Sequence, residues 1–142
     1  MAIKLEDFNL SKKAPQKGTL QKVGIVGCGI MGQQIALQTS QYGIDVMFLD
    51  ISEDRFKEVM MRLGENLDGV IAKWGMTANE KKLILSRIVG TTNYEDLKDC
   101  DIVIETINSK KTGTSLEFRK EIFRKLEAVV RPDAVLASNT AT

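Results

Sequence analysis

Histidine is absent from the 142 residues, so no position supplies an imidazole, the commonest general base near neutral pH. A metal site built on imidazole is excluded with it. Cysteine is nearly as scarce. Cys28 and Cys100 have no CxxC spacing, which argues against a thiolate-held metal and against a disulfide framework. Such usage fits a reducing compartment, and the expected location is the cytoplasm. An excess of one charge is missing too. Twenty basic residues face nineteen acidic ones, and a net charge of +1 directs no field at nucleic acid or an anionic membrane. No apolar run approaches the roughly 18 residues of a membrane span, and the N-terminus does not read as a signal peptide. What remains is an ordinary globular composition, 43% hydrophobic and 27% charged, at the length of one domain.

Glycine, by contrast, is placed with purpose. Gly27-Cys28-Gly29-Ile30-Met31-Gly32 follows directly on the apolar run Val23-Gly24-Ile25-Val26, and a helix-like segment comes next. Asp50 closes the following strand-like run. A lone GxGxxG is weak, but strand, glycines, helix and a later carboxylate together form the dinucleotide-binding fingerprint. Gly27 permits the tight turn, Gly29 lets the backbone approach a pyrophosphate, and Gly32 lets the helix pack closely on the sheet. The phosphates then face free N–H groups at the positive end of the helix. Cys28 sits where a small side chain suffices, so it reads as filler rather than as an activated thiol.

Residues 1–19 carry Lys4, Lys12, Lys13 and Lys17 with Pro15 and Gly18, and read as a flexible or loosely docked arm before a domain over 20–142. Strands are expected at 21–27, 44–50, 87–91, 101–105 and 134–137. The first helix places Met31, Ile35, Thr39 and Tyr42 on one face, and Gly43 suits its C-terminal cap. Ser52 caps the next, with Glu53 and Asp54 in its first turn. Phe56, Met60, Leu63, Leu67, Val70 and Trp74 give it an amphipathic stripe of about five turns, read as core packing, and Gly75 stops it. Thr77 and Glu80 form a capping box for a shorter helix through Leu83 and Ile84. Ser115 opens the last helix, with Leu116, Ile122, Phe123, Leu126 and Val130 apolar and Pro132 past its end. The alternation predicts an α/β fold: a doubly wound parallel sheet of Rossmann type, order 3-2-1-4-5, with a long helical pair inserted between strands 2 and 3. The ligand belongs outside the carboxyl ends of strands 1 and 4.

Further along stand Asp101-Ile102-Val103-Ile104-Glu105, Lys120-Glu121-Ile122-Phe123, Pro132-Asp133-Ala134 and Ala137-Ser138-Asn139-Thr140. With the glycine run, Asp50 and Gly75-Met76-Thr77, they make the chain from residue 21 onward resemble the N-terminal, NAD-binding domain of the 3-hydroxyacyl-CoA dehydrogenases. The resemblance implies NAD as cofactor, an acyl-CoA substrate, and hydride transfer between NAD and the substrate C3. It implies that Gly27, Gly29 and Gly32 hold the pyrophosphate and Asp50 the adenosine ribose. Glu105 and the segment after it line the nicotinamide side, and Ser138 hydrogen-bonds substrate and cofactor. Ile30, Met31, Thr106 and Arg119 complete the implied cofactor set. The family histidine lies beyond the Ser-Asn-Thr motif, as does a helical domain that completes the substrate cleft and forms a homodimer. This chain ends at Thr142, so by itself it is expected to be inactive.

Two departures from the family pattern stand out. Asn108 to Thr114 reads as a polar insertion with Lys110-Lys111-Thr112-Gly113, taken as a solvated loop, and Thr114 falls where a cofactor-side glutamate is usual. Arg119 stands where a lysine is usual, keeping the charge but not the point-like ammonium. Two alternatives stay open. A 2-hydroxyacid or 6-phosphogluconate type of NADP-linked domain is opposed by Asp50, whose carboxylate repels a 2′-phosphate. Arg55, five residues on, is not counted as the arginine that would welcome one. A free-standing, non-enzymatic dinucleotide-binding module is favoured by the missing histidine if the chain is whole.

Overall fold

The computed structural model describes residues 20–27, 29–50, 52–107 and 116–139, without the side chains of Trp74 and Leu116. The expectations for the 1–19 arm, Cys28, the 108–114 loop, Thr114 and Ser115 lie outside the described residues.

The described residues form five strands interspersed with four α-helices. They are β1 Lys22–Val26, α1 Ile30–Gln41, β2 Asp45–Leu49, α2 Glu53–Trp74, α3 Ala78–Ser86, β3 Ile88–Thr91, β4 Ile102–Glu105, α4 Leu116–Val129 and β5 Val135–Ser138. The sheet runs β3-β2-β1-β4-β5 with every neighbouring pair parallel. Alternation along β1 sends Val23 and Ile25 to a core under α1 and α2, and Val26 to a second core under α4. Both faces are therefore covered, as a parallel sheet requires. Among the described residues no helix is long and apolar enough to cross a membrane.

Local signals set the element ends. Gly43 and Gly75 follow α1 and α2 at positive φ, +81° and +72°. The Ser52 hydroxyl accepts from the Arg55 N–H at 3.3 Å, and the reciprocal Thr77–Glu80 capping box opens α3. At 22 residues α2 makes about six turns rather than five. It buries Val59, Leu63 and Leu67 and lays Phe56 over Gly90, where any β-carbon would overlap the ring. A 3₁₀ turn over Tyr94–Leu97, started by Asn93, was not foreseen.

The face of α1 that carries Met31 and Tyr42 packs on the core only through Ile35. Met31 and Tyr42 are 51% and 80% exposed, and the helix instead buries Gly32, Gln33, Ala36 and Ser40. The reason is proximity: the helix lies so close to β1 that small residues must face it. The buried Ser40 hydroxyl donates to the Ile84 carbonyl at 2.6 Å, which also ties α1 to α3. On α3, Leu83 is 53% exposed while Ile84 is buried. Cys100 is fully buried, and loss of solvent pushes its thiol up to about 11 despite nearby Lys22, so it packs rather than reacts.

Candidate functional site

Parallel register brings the site residues into line. Val26 is aligned with Leu49 on one side and Glu105 on the other, and Glu105 with Ser138. The residues that follow these strand ends, Asp50, Gly27, Thr106 and Asn139, share one edge of the sheet.

The three glycines at this edge answer three different demands. Gly27 has φ +100°, and its N–H donates to the Leu49 carbonyl at 3.2 Å. A side chain at Gly32 would overlap the Gly27 carbonyl oxygen and sit 2.9 Å from the Thr106 hydroxyl. Gly29 is different. Its backbone (φ −73°, ψ −175°) suits any residue, and a β-carbon there would meet no protein atom within 4 Å. Neither conformation nor packing among the described residues asks for glycine at 29.

Helix α1 begins at Gly29 with no side-chain cap and no acidic residue in its first turn. The first N–H groups and the positive end of the helix are therefore met by no capping side chain or first-turn carboxylate. Apolar Ile30 and Met31 flank this end, 74% and 51% exposed.

Thr106 braces the turn from the β4 side. Its hydroxyl donates to the Gly27 carbonyl at 2.8 Å and the Val26 carbonyl at 3.2 Å, and its N–H donates to Val26 at 2.8 Å. Glu105 is fully buried. One carboxylate oxygen accepts the Ile107 N–H at 2.8 Å; the other meets the Ser138 hydroxyl and Arg119 Nε, each at 3.4 Å. The cofactor path expected along Glu105 and Thr106 would run past this edge. Both stand at the edge, but their side chains serve the protein's own turn and strand ends, because a buried carboxylate needs a cation and donors around it.

Asp50 donates its N–H to the Thr91 carbonyl at 3.0 Å, and its side chain is 10% exposed. Arg55 Nε lies 3.6 Å from the Asp50 carboxylate, with the arginine side chain 45% exposed. Sequence reasoning set Arg55 aside; the corner between β2 and α2 returns it to Asp50. Among the described residues no group of His, Cys, Asp and Glu is arranged to hold a metal ion.

A parallel α/β sheet with a glycine turn after β1, an uncapped helix end and a carboxylate after β2 is a dinucleotide-binding domain of the Rossmann type. A family model described as "3-hydroxyacyl-CoA dehydrogenase, NAD binding domain" matches residues 22–142, and the chain belongs to that family. Its cofactor is NAD, and the glycine turn and Asp50 fit that group. The chain is 40% identical over 123 residues to a 3-hydroxybutyryl-CoA dehydrogenase of Bradyrhizobium diazoefficiens, covering 87% of this chain and 40% of that protein. It is 31% identical over 132 residues to a fatty acid oxidation complex subunit alpha of Psychrobacter arcticus, covering 93% of this chain and 17% of that one. The crystal structure of (S)-3-hydroxybutyryl-CoA dehydrogenase from Ralstonia eutropha superposes with a TM-score of 0.80 at 33% identity, over 87% of this chain and 42% of that one. The chain thus spans well under half the length of these relatives.

Proposed function

We propose that residues 20–142 supply the NAD-binding part of an oxidoreductase that interconverts 3-hydroxyacyl-CoA and 3-oxoacyl-CoA, a step of the fatty-acid β-oxidation type. The observation that carries this reading is Gly29, a glycine that neither conformation nor packing among the described residues asks for, at the head of an uncapped helix. NAD supplies the hydride acceptor. In this reading the α1 amides receive the pyrophosphate, Ile30 and Met31 cover it, and Asp50 accepts from the adenosine ribose hydroxyls. Ser138 donates to Glu105 at 3.4 Å, which holds its hydroxyl at the carboxyl end of the sheet, and in this reading that hydroxyl also hydrogen-bonds the substrate or the nicotinamide. Arg119 balances Glu105 and so keeps Ser138 in place, while Thr106 holds the turn. The base that removes the hydroxyl proton is an imidazole supplied from outside these residues, since the chain contains none. The whole protein is a homodimer through its helical domain and works in the cytoplasm.

Two measurements test this. Calorimetric titration shows saturable, one-to-one NADH binding by the 142-residue chain; a folded chain that does not bind NADH sinks the proposal. The same chain, given NAD and 3-hydroxybutyryl-CoA, shows no enzyme-like NADH production, because a placed base typically contributes about 10²–10⁴-fold and none is present. Turnover at an enzyme-like rate would mean that a carboxylate such as Glu105 takes the proton. A second reading, a non-enzymatic dinucleotide-binding module, is the one the lack of histidine favours only if these 142 residues are the whole protein. It predicts that NADH binding survives while no histidine-bearing domain fused after Thr142 confers turnover.

A further inference from the structure

Arg55 is the third residue of α2, where a cation opposes the helix dipole. Three features hold it there. The Ser52 hydroxyl accepts from its own N–H. Its neighbour Phe56 is seated on Gly90 and 5.0 Å, centroid to centroid, from the Phe48 ring, so the start of α2 cannot slide along the sheet. Its guanidinium meets Asp50 at 3.6 Å. The two partners differ in access: Asp50 is nearly enclosed, whereas Arg55 is half in solvent.

We propose that Arg55 is a specificity-determining residue of the ribose site. It masks the Asp50 charge in the native protein, and it becomes the counter-charge of a 2′-phosphate once that carboxylate is neutralised. This rests on the NAD reading above. A carboxylate selects NADH in two ways, by accepting from two ribose hydroxyls and by repelling a phosphate at the 2′ position. A guanidinium beside it leaves the first way intact and weakens the second, because the phosphate meets a paired charge instead of a bare one. The planar fork of arginine is also the side chain best matched to phosphate oxygens. The expected selectivity for NADH is therefore softer than Asp50 alone would impose, and its electrostatic part belongs to Arg55.

The test is a set of calorimetric titrations with NADH and with NADPH on the wild type, Arg55→Leu, Asp50→Asn and the double variant. Arg55→Leu raises the preference for NADH about fivefold, the scale of one partly exposed ion pair. Asp50→Asn strengthens NADPH binding about tenfold, and that gain is lost in the double variant. The gain also falls as salt is raised, which a purely structural role of Arg55 would not produce. The proposal is overturned if Arg55→Leu leaves the NADH-to-NADPH ratio unchanged, or if the double variant binds NADPH as tightly as Asp50→Asn. A wild type that binds neither dinucleotide overturns the NAD reading instead, and this proposal with it. The Arg55→Leu arm decides the matter even if Asp50→Asn does not fold, because Arg55 is half exposed and its loss removes an unfavourable charge from the helix start.

Discussion

Two carboxylates bracket β4, Asp101 just before it and Glu105 at its end, and they tie the two edges of the sheet by one scheme. Asp101 receives the N–H groups of Gln21 and Lys22 on the β1 side at 2.8 and 3.0 Å, and Arg131 on the β5 side at 2.5 Å. Glu105 accepts from the Ile107 N–H and the Ser138 hydroxyl and is ion-paired with Arg119. Their surroundings differ: Asp101 is 23% exposed and Glu105 is not exposed at all. At the amino edge, water could replace most of what the carboxylate provides. At the carboxyl edge it could not, and that is the edge where Thr106 holds the glycine turn. The buried clamp braces the ends of β4 and β5 beside the glycine turn.

Removing the buried clamp should give the largest effect. Glu105→Ala leaves Arg119 and the Ile107 N–H without their acceptor, and breaking such a pair typically costs about 3–5 kcal/mol. Urea denaturation should show a loss of that size, with Glu105→Gln losing less because its amide oxygen still accepts. The corresponding Asp101→Asn change should cost far less. Equal losses at the two edges would show that burial does not separate them.

The contrast also marks what could be read from the chain. Strand order, the helix pair, the caps at Ser52 and Thr77 and the stops at Gly43 and Gly75 were legible, because each is written within a few residues. The buried face of α1 was not, since Gly32, Ala36 and Ser40 face the sheet through small size and carry no apolar periodicity. Nor was the burial of Glu105, whose partners Arg119 and Ser138 are remote in sequence and arrive through the pairing of β4 with β5 and the packing of α4. Arg55 was near enough to Asp50 to be noticed, yet its spacing alone does not say whether a side chain turns back around a strand-to-helix corner. The glycine fingerprint was legible as a pattern, but its division of labour required distances.

That division gives the second test, of intermediate size and confined to the carboxyl edge. Gly29→Val should weaken NADH binding about ten- to hundredfold, because a side chain there enters the space of the ligand. Its melting temperature should stay near the wild-type value, since no protein atom lies within 4 Å of the added carbon. Gly32→Ala should behave oppositely. Its methyl overlaps a backbone oxygen that cannot move aside cheaply, so stability falls by about 1–3 kcal/mol and binding follows. If Gly29→Val keeps its NADH affinity, the ligand does not approach α1 where the glycine allows it.

The smallest effect belongs to Asp101, and its signature is pH. Burial pushes this carboxyl up, but the Gln21 and Lys22 N–H donors and the Arg131 guanidinium together outweigh it and hold the group below the ordinary carboxylate value. A carboxyl whose folded pKa is depressed binds its proton more readily in the unfolded chain. Its contribution to stability is therefore complete above the ordinary carboxylate range and is lost as pH falls through the depressed value. Wild type should be more stable than Asp101→Asn at neutral pH, and the gap should close on acidification below about pH 4. The gap stays small because Arg131 is itself 44% exposed and also lies 3.5 Å from Asp133, so solvent screens the pair and a second acid competes for the guanidinium. Urea midpoints of both proteins across the acid range measure it directly. A gap that persists unchanged at low pH would mean that Asp101 acts through shape and hydrogen bonding, which asparagine would then be failing to reproduce, and not through its charge.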